Sequence, residues 1–190
     1  MKLFVMGASL RRDSFNRKLA AVAAGVARAK GSAVDLADFA DFTMPLYDGD
    51  IEENEGMPEG ARKFSARVKA ADGLIFSVPE YNNSVSGAFK NALDWMSREK
   101  PYAFTAKPVL MLGATSGKAA ALQGIAATRV PLTFLGSYIY PAWLGVANGA
   151  TAFSEDGCQL VDKAAQKRLE TLTDEFLVFT ERNARAPAKT

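Results

Sequence analysis

The chain opens Lys2-Leu3-Phe4-Val5-Met6-Gly7-Ala8-Ser9-Leu10-Arg11-Arg12-Asp13-Ser14-Phe15-Asn16, and the change of pattern inside this stretch decides the fold. Lys2 to Met6 is a short apolar run that Gly7 closes. Beyond the polar loop, Leu19, Val22, Ala23 and Val26 return at helical spacing, which places them on one helix face. Strand, loop and helix in immediate succession form the first half of a β-α-β unit.

The alternation continues outward. Ala33 to Leu36 reads as a second strand, and Pro58 sits where a helix can begin, with Ala61, Phe64, Val68 and Ala71 at helical spacing. Gly73 to Val78 reads as a buried strand. After the loop from Pro79 to Val85, Phe89, Ala92, Leu93 and Met96 mark a helix, and Pro108 to Leu112 a fourth strand. A helix is predicted from about Lys118 to Leu135, where Pro131 should remove a backbone hydrogen bond and bend or end it. An aromatic strand near Tyr138 to Val146 and a helix turning Ala165, Leu169, Leu172, Phe176 and Phe179 inward complete the series. Five strands alternating with helices predict an α/β protein whose parallel sheet is covered on both faces, because right-handed crossovers place the helices there. Short apolar strands suit that burial. No linker divides the chain, so residues 1–183 read as one domain and 184–190 as a frayed tail.

Composition narrows the function. Of 190 residues, 48% are apolar and 23% charged, enough for a continuous core. The 23 basic and 21 acidic residues give a net charge of +2 with no long block of either sign, so neither a nucleic acid nor a membrane is expected as partner. No apolar run approaches the ~20 residues of a membrane span and no signal-peptide pattern opens the chain, which predicts a cytoplasmic protein. The single cysteine, Cys158, cannot form an internal disulfide and reads as an ordinary thiol near a turn. Histidine is absent, which excludes histidine-dependent hydrolysis and His/Cys zinc sites. The chemistry is then expected from a bound cofactor, with no catalytic side chain and no metal ligand assigned.

In a parallel sheet of this kind, ligands gather beyond the carboxyl ends of the strands, at the loops after strands one, three and four. The first loop offers Ser9, Ser14 and Asn16 as neutral donors and Arg11 as a charged fork, at the start of a helix whose free N–H groups and dipole favour an anion. It reads equally as an N-capped helix with exposed arginines. The second, Pro79-Glu80-Tyr81-Asn82-Asn83-Ser84, can lay its backbone and Tyr81 beside a flat heteroaromatic ring, or can be a surface turn stabilised by asparagines. The third, Gly113-Ala114-Thr115-Ser116-Gly117-Lys118, is not a P-loop: three residues separate its glycines and Ala119 follows the lysine. Its small residues can let backbone approach the same ring. The acidic stretch Asp48, Asp50, Glu52, Glu53 and Glu55 lacks calcium-loop spacing and reads as a solvated loop. Tyr138, Tyr140 and Trp143 read as core or subunit contact.

The run Pro79-Glu80-Tyr81-Asn82-Asn83-Ser84 continuing into Gly87 and Lys90-Asn91-Ala92-Leu93-Asp94-Trp95, together with Gly7-Ala8-Ser9-Leu10-Arg11, Ser14 and Asn16, resembles the NAD(P)H-dependent FMN reductase family, which includes quinone, chromate and azo-dye reductases. The resemblance covers nearly the whole chain. It implies a flavodoxin-like three-layer sandwich with a five-stranded parallel sheet in the order 2-1-3-4-5. It also implies FMN as cofactor and NAD(P)H as donor, with Ser9, Arg11, Ser14 and Asn16 on the FMN phosphate and Phe15 in the same binding loop. Pro79, Glu80, Tyr81 and Asn82 would border the isoalloxazine ring, and Ser116 and Gly117 would close its third side. By the same resemblance, hydride passes to flavin N5 and then, in ping-pong turnover, to a small acceptor such as a quinone, chromate, an azo dye or a nitroaromatic compound. A homodimer or homotetramer is implied as well. Ser86 stands where the family often has proline, and should cap the following helix; Ala120 and Ala121 stand where many members have Gly-Gly. The alternatives are a non-enzymatic flavodoxin-type electron carrier, against which the near-neutral charge speaks, and a flavin-free scaffold, against which the first two loops speak.

Overall fold

A computed structural model describes residues 1–184; the rest of the tail expected from residue 184 lies outside the described residues. The elements are β1 (Lys2–Gly7), α1 (Phe15–Ala29), β2 (Ala33–Asp38), a 3-10 turn (Phe39–Asp41), α2 (Gly49–Glu55), α3 (Glu59–Lys69), β3 (Gly73–Val78), β4 (Glu80–Tyr81), β5 (Ser84–Val85), α4 (Gly87–Met96), β6 (Pro108–Ala114), α5 (Leu122–Phe134), β7 (Tyr138–Val146) and α6 (Lys163–Ala184). The main sheet runs β2-β1-β3-β6-β7 with every pairing parallel. This is the flavodoxin-like order, in which the direction of winding reverses between β1 and β3.

Strand alternation assigns the core to two layers. Phe4, Met6, Phe76 and Met111 face α3, α4 and α5, where Phe64, Phe89 and Ile125 meet them. Leu3, Val5, Ile75 and Leu110 face α1 and α6, where Leu19, Leu169, Leu172 and Phe176 meet them. All residues of β3 and β6 are buried, as expected of central strands with helices on both sides. Tyr140 of the edge strand β7 packs on Phe176 and Phe179, whereas Tyr138 and Trp143 stay exposed.

Two sequence expectations require correction. The helix predicted from Lys118 starts at Leu122, because Ala120 and Ala121 have φ of 52° and 62°; left-handed residues end or precede a right-handed helix and do not propagate it. Pro131 lies inside α5, which closes one turn later with Leu135 N–H on the Pro131 carbonyl at 3.0 Å. The acidic stretch is not a loop but α2, capped by Asp48, whose Oδ1 accepts the Asp50 N–H at 2.9 Å. Asp50 and Glu52 in its first turn suit the helix dipole, and none of its residues is buried. Among the described residues no group of His, Cys, Asp or Glu is placed to hold a metal ion, and no helix is long and apolar enough to cross a membrane.

Ser86 caps α4 as expected: its buried Oγ accepts the Phe89 N–H at 3.3 Å. Its φ of −65° is the value proline imposes, so serine and proline lead the chain into α4 at the same angle. Ser86→Ala keeps that angle and loses the acceptor. It is expected to cost about 1 kcal/mol, read as a lower urea midpoint at unchanged slope.

Candidate cofactor site

The carboxyl ends of β1, β3 and β6 lie side by side, with Gly7 opposite Ser77 and Val78 opposite Gly113. The three loops leaving them enclose one cleft. It is lined by Ser9, Arg11, Ser14, Phe15 and Asn16 from the first, Pro79, Glu80 and Tyr81 from the second, and Ala114, Thr115 and Ser116 from the third. Its volume of about 120 Å³ lies below the roughly 300 Å³ at which small-molecule pockets begin. Nine of the residues singled out in the sequence meet here. Asn82 and Gly117 do not line the cleft. Ala114 and Thr115, which do, were named in the third loop without a site role of their own.

The first loop gathers hydrogen-bond donors at a helix N-terminus, an arrangement that can receive an anion. Ser14 caps α1, its Oγ accepting the Asn16 N–H at 3.1 Å, and Ser9 Oγ accepts the Arg11 N–H at 3.4 Å. Both serines are 5% exposed, and among the described residues neither hydroxyl donates, so each keeps an O–H for a ligand. The first intrahelical bond is Lys18 N–H to the Ser14 carbonyl at 3.1 Å, which leaves the Phe15 and Arg17 N–H groups without a helical acceptor. Arg11 is exposed and has no ion pair among the described residues, whereas Arg17 is paired with Asp38 at the end of β2.

Asn16 has a different task from the one its residue type suggests. Its Nδ2 donates to the Ala114 carbonyl at 2.9 Å, and its Oδ1 accepts from Ala114 N–H at 2.8 Å and from Ser77 Oγ at 2.9 Å. The side chain is 3% exposed and bolts the first loop to β3 and β6.

The second loop is a two-residue hairpin. Asn82 and Asn83 have φ of 52° and 57°, the left-handed pair of a type I′ turn, and asparagine tolerates that region better than other residues with a Cβ. Tyr81 pairs with Ser84, and its side chain is 54% exposed at the rim. Glu80 Oε2 accepts the Gly124 N–H of α5 at 2.9 Å. The third loop is fixed by Thr115 N–H to the Val146 carbonyl at 3.0 Å and by Gly149 N–H to the Thr115 carbonyl at 2.8 Å.

Residues 1–151 match the model of the family described as NADPH-dependent FMN reductase. The chain belongs to this family. A relative among the FMN reductases, the NAD(P)H-dependent enzyme of Pseudomonas aeruginosa, is 33% identical over 176 residues, covering 90% of this chain and 93% of its own. A quinone reductase of Escherichia coli is 32% identical over 175 residues, covering 91% and 90%. The solved structure of a flavoenzyme NAD(P)H:(acceptor) oxidoreductase from Paracoccus denitrificans superposes with a TM-score of 0.80 at 27% identity, covering 96% of this chain and 98% of that one. In this FMN reductase the family match spans all three loops of the cleft.

Proposed function

We propose that the protein is an FMN-dependent oxidoreductase that takes electrons from NAD(P)H and passes them by a ping-pong mechanism to small acceptors such as quinones. The observation that carries this reading is the meeting, over three adjacent strand ends, of an anion cradle and a left-handed hairpin with an exposed aromatic. FMN needs a partner for a phosphate at one end and for the hydrogen-bonding edge of a flat ring at the other. Ser9, Ser14, Arg11 and the α1 N-terminus meet the first need. Pro79, Glu80 and Tyr81 meet the second, with Ser116 lining the same cleft.

Bound there, FMN supplies the hydride and electron transfer. The chain's part is to bind, orient and shield. The α1 N-terminus neutralises phosphate charge, and the Asn16 bonds hold that loop in fixed relation to the third loop. With no histidine in the chain, protons for a reduced quinone come from solvent. Donor and acceptor would use the same open side of the cleft in turn.

The deciding experiment is anaerobic stopped flow on FMN-loaded protein, with NADH or NADPH and then a benzoquinone. Bleaching followed by recovery supports the reductase. Bound flavin that neither nucleotide bleaches overturns it in favour of a flavodoxin-type carrier. For the cradle itself, Arg11→Ala is expected to weaken FMN binding by at least ~1.5 kcal/mol, about tenfold, the contribution of a charged hydrogen bond; fluorescence titration reads this, and unchanged affinity removes Arg11 from the site.

We also propose that the protein works in the cytoplasm as a homodimer or homotetramer. Val130 and Phe134, four residues apart on α5, are 71% and 74% exposed, and an exposed apolar pair on one helix face supports contact with another chain. Sedimentation velocity tests the assembly.

A further inference from the structure

We infer that Glu80, clamped by the N-terminus of α5, is the charge that sets how strongly the FMN bound in this cleft holds electrons. The inference rests on the function proposed above and goes further, assigning to one side chain the tuning of the cofactor. Three observations carry it.

Glu80 supplies the single carboxylate among the described residues that line the cleft. Arg11, the single cation there, belongs to the first loop, and no ion pair neutralises Glu80 among the described residues. The charge therefore acts on whatever occupies the cleft.

The carboxylate is held in place. α5 begins after Ala121, a left-handed residue whose side chain cannot cap a helix. Glu80 Oε2 takes over that task by accepting the Gly124 N–H at 2.9 Å, from a neighbouring loop. A helix N-terminus favours a negative charge at this point. Oε1 has no partner among the described residues, so the group keeps acceptor capacity beyond the cap.

The loop and the helix also meet without slack. A Cβ on Gly124 would lie 2.9 Å from the Pro79 carbonyl oxygen and 3.0 Å from Glu80 Cα. Glycine at this position lets the two backbones touch, and the contact fixes where the carboxylate can be.

The consequence follows from charge balance. NAD(P)H gives up a hydride, two electrons with one proton, and leaves as NAD(P)⁺; FMN gains the hydride and one negative charge until a solvent proton neutralises it. A fixed carboxylate at the edge of the cleft opposes that added charge. It weakens binding of the reduced anionic cofactor relative to the oxidised one, and so makes the reduced cofactor the stronger donor to an acceptor.

The test is an anaerobic potentiometric titration of FMN-loaded wild type, Glu80→Gln and Glu80→Ala, with thermal unfolding of each apoprotein. Glutamine keeps an acceptor for Gly124 and loses the charge; alanine loses both. Both variants are expected to favour reduced over oxidised FMN by at least tenfold more than wild type, a rise of about 30 mV for a two-electron couple. Only Glu80→Ala should lower the apoprotein melting temperature. The two neutral variants make the potential measurable even where one of them does not fold. Potentials that coincide within a threefold change in relative affinity overturn the inference and leave Glu80 a helix cap. Wild type that binds no FMN overturns instead the functional reading, and the inference with it.

Discussion

Asn16→Ala is expected to lower the unfolding free energy by at least about 3 kcal/mol, with a lower urea midpoint and an unchanged slope. The side chain is 3% exposed and makes three hydrogen bonds, two with Ala114 and one with Ser77. Truncation strands the Ser77 hydroxyl and both backbone groups of Ala114 at the centre of the sheet edge. Each buried polar group left without a partner costs about 1–3 kcal/mol, and small domains have only about 5–15 kcal/mol in all. Asn16→Asp separates geometry from charge: it keeps the acceptors, cannot donate to the Ala114 carbonyl and adds a buried charge, so it should destabilise as well. A loss under 1 kcal/mol in both variants would show that the network carries no load.

Gly7→Ala should damage stability and FMN binding together. A Cβ on Gly7 would stand 2.6 Å from the Asn16 carbonyl oxygen and 2.7 Å from both N and Cα of Arg17. All three atoms are backbone of the first turn of α1, so no rotamer change relieves the clash. The turn must move off β1, at a cost of about 1–3 kcal/mol for overpacking, and it carries the serine cap with it. FMN affinity is expected to fall at least tenfold in fluorescence titration. Gly25, in the same helix, has nothing within 4 Å of its would-be Cβ; Gly25→Ala is the control and should stabilise by about 0.5–1 kcal/mol. Wild-type FMN affinity in Gly7→Ala would mean that the cofactor does not sit at the α1 N-terminus.

The sheet was legible because its strands are short apolar runs between helices of clear period; its strand order came with the family resemblance, since crossover handedness alone does not say which strands are neighbours. Val78 and Leu112 needed no tertiary information to be placed. Where sequence reading stopped, the deciding interactions were distant or unmarked. α2 buries nothing, so no apolar period announces it. Lys118 to Ala121 are good helix formers by type, yet the two alanines are left-handed, and nothing local in the sequence says so. The Asn82-Asn83 pair did carry a turn signal, but with two residues on either side it was too short to read as strands. Asn16 was legible as part of the first loop and not as its bolt, because its partners lie 61 and 98 positions away.

That span has a consequence for the life of the chain. A protein emerges from the ribosome N-terminus first, so the residues of the first loop are made before those of β6. Their anchor belongs to β6, and the bond between Asn16 and Ala114 cannot close until that strand has been synthesised and docked beside β3. A nascent chain released before residue 108 would carry every letter of the first loop and the Ser77 contact, and would lack both bonds to Ala114. With FMN held at this loop as proposed, cofactor capture would be a late event of biogenesis, reached when the middle of the sheet is complete.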